Sequence, residues 1–276
     1  MRALRPGSLD VALAHALTDP LTNALAGARL REAARSAPVL QEFSLAGDET
    51  RPDGLLWHGV NVSPLSATGL ALGEFGRHLA ARSRRASSVV GERAAVEALW
   101  QSLAPTWGAD VREYRWSQPL LVADDLADLP ELPPVPLRPA EPGEETLVFP
   151  AAVAMFREEV GIDPLQGDGG RGYRSRVEEL IRHRRTYVVI EDGQVQFKAD
   201  VGALFGPVAQ IHGVWVRPEQ RGRGLGRAAM AQLARQVQQD HAPQVSLYVN
   251  DFNEPARRAY DAAGFRQVGE LTTILF

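Results

Sequence analysis

Between Asp128 and Gly143 the sequence DLPELPPVPLRPAEPG places six prolines in 16 residues. Proline offers no N–H to a helix or a sheet ladder and fixes its own φ, so neither regular element can run through such a stretch. It reads as a semi-extended linker. The expected organisation is an amino-terminal domain at residues 1–127, the linker at 128–143 and a carboxy-terminal domain at 144–276. Both units have an ordinary domain size. No internal repeat is visible as residue identity.

Composition then removes whole classes of chemistry. The chain is 45% hydrophobic and 23% charged, which is normal for a folded protein. It has no cysteine, which excludes disulfides, thiolate metal sites and a thiol nucleophile. Of 30 basic residues only Lys198 is a lysine, leaving 29 arginines, so no GxxxxGK[ST] phosphate loop exists. Lys198 lies in an alternating stretch that reads as a strand face, not as a Schiff-base site. The six histidines (His15, His58, His78, His183, His212, His241) include no pair at helical ligand spacing, and no metal is expected. No apolar run approaches 18 residues, and Asp10 and His15 interrupt the amino terminus. A soluble, cytoplasmic protein with no membrane partner is expected. The net charge of −4 argues against nucleic acid, and the basic runs at Arg77, Arg82, Arg84, Arg85 and at Arg182, Arg184, Arg185 read as solvated faces.

Pattern gives an α/β reading of each half, with a mixed sheet. Before the linker, helices are expected at Leu9 to Leu17 and, opened by Asp19-Pro20, at Leu21 to Arg35. Strands follow at Leu55 to Val62 and Ser87 to Val90, with helices at Leu70 to Arg82 and Arg93 to Leu103. Two strands, Val111 to Trp116 and Leu120 to Val122, close the half. The SSVVG strand running into a helix invites a phosphate-binding reading, but Gly91 is its one glycine, and plain architecture is favoured. Trp57, Trp100, Trp107 and Trp116 read as core aromatics. After the linker, Ala151 to Val160 and Arg174 to His183 look helical, and Asp192-Gly193 marks a hairpin between Tyr187 to Glu191 and Gln194 to Ala199. A strand at Ala209 to Val216, a helix at Leu225 to Gln239 and a strand at Val245 to Val249 form a right-handed βαβ unit, and a short helix runs from Glu254 to Ala262.

The passage GVWVRPEQRGRGLGRAAMAQL, Gly213 to Leu233, carries the chemistry. Pro218 stops the strand, and the glycines at 222, 224 and 226 let the main chain wrap an anion at the start of a helix. A pyrophosphate suits such a turn. The RxxGxG spacing, with no acidic residue after a second strand, is not that of a dinucleotide-binding fold. Gly213 within the strand suggests a bulge that would splay it from its parallel neighbour and free backbone groups near Val214 and Val216 for an amide-bearing chain. Downstream, NDFNEPARRAYDAAGF offers Asn253 as a helix cap, Gly264 as its terminator, and Tyr260 two turns along.

These two elements, in this order and separation, resemble the GNAT superfamily of acyl-CoA-dependent N-acetyltransferases, whose signature is an RxxGx[GA] loop after the fourth strand and an N…Y…GF element after the fifth. The resemblance covers Thr146 to Phe276. It implies a GNAT fold with splayed parallel strands around a glycine-loop helix, acetyl-CoA as cosubstrate, no metal, and a small amine or a peptide amine as acceptor. The main chain of Val214, Trp215 and Val216 would hold the pantetheine. Arg221, Gly222, Arg223, Gly224, Leu225, Gly226 and Arg227 would hold the pyrophosphate. Asn253 would bond the pantetheine arm, and Tyr260 would protonate the leaving thiolate. Structural roles, a pure cap for Asn253 and a core aromatic for Tyr260, stay open.

Where many relatives carry a basic glutamate, this chain has Gln210. His212 shares its strand face and is the candidate substitute base, with a satisfied strand histidine as an equal reading and a water-mediated base, Glu158 or Glu159 as alternatives. The first half weakly resembles an uncharacterised domain found ahead of such acetyltransferases, most distinctly in RRASSVVGERAAVEALW. By analogy it is a degenerate second copy of the same fold that binds no coenzyme and shapes the acceptor pocket. The leading expectation is direct acetyl transfer to a primary amine in a ternary complex, since no cysteine can carry the acetyl group. The competing ones are a non-catalytic acyl-CoA-binding protein and a protein-interaction module acting through the basic first domain. Monomer and homodimer are equally compatible. Self-acetylation could reach only Lys198 and the amino terminus.

Overall fold

The computed structural model describes residues 1–125 and 129–276. The expected domain boundary at 127/128 therefore lies outside the described residues. The first half runs β1 (Arg2–Ala3), α1 (Leu9–Ala16), α2 (Ala24–Glu32), α3 (Ala37–Leu40), β2 (Phe43–Gly47), β3 (Pro52–His58), β4 (Asn61–Leu65), α4 (Gly69–Ala80), β5 (Ser88–Glu92), α5 (Arg93–Trp107) and β6 (Glu113–Ala123). The second runs β7 (Arg138–Pro139), α6 (Glu145–Val160), α7 (Arg171–Arg182), β8 (Thr186–Glu191), β9 (Gln194–Phe205), β10 (Val208–Val216), α8 (Leu225–Asp240), β11 (Gln244–Tyr248), α9 (Glu254–Asp261) and β12 (Arg266–Leu275).

Several boundaries differ from the sequence reading for identifiable reasons. The single strand expected at Leu55 to Val62 is the hairpin β3/β4, which turns at Gly59-Val60 inside an otherwise apolar run. The two strands expected around Ser117 are one, because the central Pro119 lies where β6 tolerates a missing donor beside a register shift of β12. Strands β2 and β12 were not expected. Their polar residues mask the alternation, and burial by neighbouring strands decides them. The Asp192-Gly193 hairpin forms as its residues dictate, both at positive φ of 50° and 69°.

One twelve-stranded sheet joins the halves, in the order β1-β2-β3-β4-β5-β12-β6-β11-β10-β9-β8-β7. The segment from β2 to β6 repeats the pattern from β8 to β12: two antiparallel pairings, then a parallel pair with a helix crossover, β4/β5 in one and β10/β11 in the other. The closing strands are exchanged. β12, last in the chain, pairs with β5 of the first half, and β6 pairs with β11 of the second. Ile274 of β12 is consequently fully buried in the first half's core, among Phe75, Val89 and Leu99.

The proline-rich stretch is held along its described length. Leu129 and Leu137 are buried in the second half's core, Arg138–Pro139 pairs with β8, and Arg235 of α8 donates to the carbonyls of Leu129 and Pro130, both at 2.8 Å. Proline's carbonyl remains a good acceptor even though its N–H is gone, which suits a strap bound by side chains. No helix among the described residues is long and apolar enough to cross a membrane.

Candidate active site

Strands β10 and β11 pair in parallel only over Val208↔Gln244, Ala209↔Val245 and Gln210↔Ser246. Beyond Gln210 they part. On its other side β10 follows β9, but the register breaks between Gln210 and Ile211 and again between His212 and Trp215, with Gly213 at φ +58°. Glycine is favoured there by conformation, while the nearest obstacle to a Cβ, Met155 Cε at 2.9 Å, is the end of a flexible side chain. The gap opens into a cleft of about 1120 Å³ between α6, α8, α9 and β6.

The glycine loop stands at one end of this cleft. Gly222 and Gly224 adopt the left-handed φ of +72° and +85°, and Gly224 caps α8 with no side-chain acceptor. Residues 222–227 donate their N–H groups to no acceptor among the described residues, and the positive end of α8 lies behind them. Arg223 and Arg227 are exposed beside the loop. Arg221 braces it instead, donating to the Val216 carbonyl at 2.9 Å and to Glu158 at 2.7 Å. Such an uncapped glycine turn can accept an anion.

Along the splayed strand, Val214 and Val216 are partly buried and line the cleft with their neighbours. The indole of Trp215 turns away to pack under α6 and donates to Glu158 at 3.3 Å, so only its main chain can serve a ligand. Asn253 caps α9, its Oδ1 accepting from the Ala256 N–H at 3.2 Å, which leaves the amide NH2 as a donor. Tyr260 is 7% exposed, lies against Phe265 and reaches the cleft wall. Burial, with the nearby Glu159 charge, pushes its phenol well above the usual range.

His212 faces the same cleft, with Nε2 2.9 Å from the Gln210 side-chain oxygen and its ring edge-on to Tyr248. Burial lowers its pKa to about 4. Glu159 enters from α6. Its carboxyl is open to the solvent of the cleft yet ringed by protein, and that burial raises its pKa against the opposing pull of Arg115 and Lys198. Glu158 is committed to Arg221 and Trp215.

Sequence reasoning missed the wall contributed by the first half. Glu113 and Arg115 of β6 line the cleft, paired with each other at 2.8 Å and 3.0 Å, and Arg115 also donates to the Glu159 carbonyl at 2.5 Å. Gln118 of β6 donates to Asn250 at 2.8 Å and so anchors the loop that leads to Asn253. No local signal could find these residues, because the strand exchange alone brings them there. The SSVVG turn, by contrast, is closed to anions: the Glu92 carboxylate accepts from the N–H groups of Ala94 and Ala95 at 3.1 Å and 2.7 Å.

Comparison with known proteins places this geometry. Residues 157–265 match the acetyltransferase (GNAT) family. This part of the chain is a GNAT-family domain. Residues 43–144 match a domain of unknown function, DUF4081. Over 70 residues the chain is 39% identical to the mycothiol acetyltransferase of Acidothermus cellulolyticus, a match covering 25% of this chain and 21% of that protein. The match thus spans about a fifth of that relative. Among solved structures, a Drosophila protein superposes with a TM-score of 0.65 at 13% identity, covering 100% of this chain and 98% of its own. A tandem GNAT protein from the clavulanic acid biosynthesis pathway gives 0.52 at 17%, covering 99% and 96%. The GNAT likeness therefore extends, as fold, through both halves.

Proposed function

We propose that the cleft binds acetyl-CoA and that the protein transfers its acetyl group directly to a primary amine. The observation that carries this reading is the conjunction of free loop N–H groups, an opened parallel strand pair and a buried tyrosine along one continuous cleft. The loop N–H groups with Arg223 and Arg227 take the pyrophosphate, the main chain of Val214 to Val216 takes the pantetheine, and the Asn253 amide bonds its arm. A backbone N–H in the same segment stabilises the oxyanion formed on attack. Tyr260, held protonated, gives its proton to the departing thiolate.

For the amine's proton, Glu159 is the better acceptor than His212. An imidazole with a pKa near 4 is neutral at pH 7 but too weak a base to draw a proton effectively, whereas burial makes the Glu159 carboxylate more basic. Glu159→Gln should lower kcat about 100-fold, within the usual range for a general base. The rate for an acceptor that is unprotonated throughout should rise with pH through a limb above the ordinary carboxylate range. A limb near pH 4 that disappears in His212→Gln would return the role to His212.

The decisive assay is release of coenzyme A thiol across a panel of amines, read with a thiol dye. The chain has no cysteine, so the protein contributes no background. Coenzyme binding by calorimetry without thiol release from any amine would instead support a non-catalytic acyl-CoA-binding protein, a reading favoured by the neutral, Gln210-bonded state of His212.

A further inference from the structure

The chain's only lysine is fully buried beneath the splayed strand. Lys198 lies on β9 opposite Trp215, and its ammonium is ion-paired with Asp200, whose other carboxylate oxygen accepts from Thr186 at 2.8 Å. The same Nζ is 3.4 Å from the Gly213 carbonyl, at the point where β10 leaves its regular register. A Cβ at Gly213 would approach Nζ to 3.3 Å and Asp200 Oδ2 to 3.4 Å, so the pair fits the bulge closely. Full burial closes Lys198, one of the two amines that self-acetylation could reach, to that modification in this fold.

We infer that Lys198, held by Asp200, is a positioning residue for the acyl end of the cleft. The peptide between Gly213 and Val214 is planar and trans, so its carbonyl and N–H point in opposite directions. With the carbonyl held toward Lys198 on β9, the Val214 N–H is turned away from β9, to the side where β10 and β11 part. That is where an acyl carbonyl enters under the proposed function, on which this inference rests. A glycine at positive φ can rotate this peptide readily. The buried charge pair removes that freedom and keeps the donor aimed before the substrate arrives.

A protein with one lysine gives one side-chain ammonium resonance when labelled with 15N-lysine. In the native protein that signal should be visible at neutral pH, because burial slows proton exchange, and it should shift on adding acetyl-CoA more than on adding coenzyme A. The companion variant Lys198→Met/Asp200→Asn removes both charges in nearly the same volume, and a thermal melt establishes that it folds. It should bind coenzyme A within about threefold of the wild type while kcat falls at least tenfold, loss of one oriented oxyanion donor being worth about 10²–10³. Equal shifts with both ligands, or a folded double variant with unchanged kcat, would overturn the role of Lys198 and leave the proposed activity standing. Failure of the wild type to bind acetyl-CoA would sink the underlying reading and this inference together.

Discussion

The two halves use one plan and arrive at opposite capacities. In the first, β4 and β5 pair at Asn61↔Ser88 and Val62↔Val89, as β10 and β11 pair over three positions. Beyond that pairing they stay in contact and leave no gap. Pro64 has no N–H to offer, and a Cβ on Gly91 would already meet its Cδ at 3.3 Å. Only residues 66–68 connect β4 to α4, and the Thr68 hydroxyl accepts from the Ala71 N–H at the helix start. Residues 217–224 connect β10 to α8, long enough to wrap an anion, and no side chain caps that helix. At the next helix the first half spends a carboxylate, Glu92, where the second uses the neutral amide of Asn253. Under the proposed function, binding capacity therefore resides in one loop and one unfilled gap, and the topology supplies only the frame.

The sharpest way to break this comparison is chemical. Tyr260→Phe should lower kcat about 10²–10⁴-fold, the usual span for a general acid, with acetyl-CoA affinity nearly unchanged. Unaltered thiol release would show that the second cleft does not owe its chemistry to that phenol. A second test addresses the independence of the halves. Ile274→Ala should cost about 2–5 kcal/mol, as for other fully buried aliphatic truncations, and should do so in a single calorimetric transition because one continuous sheet joins the halves through β12 and β6. Two separate transitions would mean that the exchanged strands do not couple the halves.

Gly224→Val tests the loop directly. It imposes an L side chain on a φ of +85° and crowds the anion's approach, so acetyl-CoA affinity should fall about tenfold to a hundredfold. Calorimetry on the wild type should find one coenzyme per chain, and a second site would contradict the closed gap at Pro64. The smallest effect is on stability. Burial lowers the pKa of His58 in the first half and of His212 in the second, so the unfolded chain takes up protons first as pH falls below about 6.5. Stability from these groups is complete above that value and is lost toward pH 4. The melting temperature should drop by several degrees between pH 7 and pH 5, and a flat profile would remove burial of these histidines as a source of pH dependence.

Much of the second half was legible from local sequence. The Asp192-Gly193 pair fixes a hairpin because both residues accept positive φ, and RGRGLG opens α8 as an uncapped helix because glycine alone suits Gly222 and Gly224. Asn253 caps α9 by a contact three residues long. The first half was harder to read at β2, and the second at β12, since both take their strand state from burial between neighbours and not from their own pattern.

What the sequence determined alone was short-range: turns, caps, the glycine loop, and the exclusion of cysteine chemistry by composition. Tertiary structure decided everything that depends on residues far apart in the chain. It exchanged β6 and β12, set Glu113 and Arg115 into the second half's cleft, chose Glu159 over Glu158 as the uncommitted carboxylate, and sealed Lys198 beneath Gly213. The six prolines rightly forbade helix, but the strap they form is held by Arg235, more than 100 residues away. Backbone preferences act over a few residues, while pairing and burial act over the whole sheet, and the site is built where the two meet.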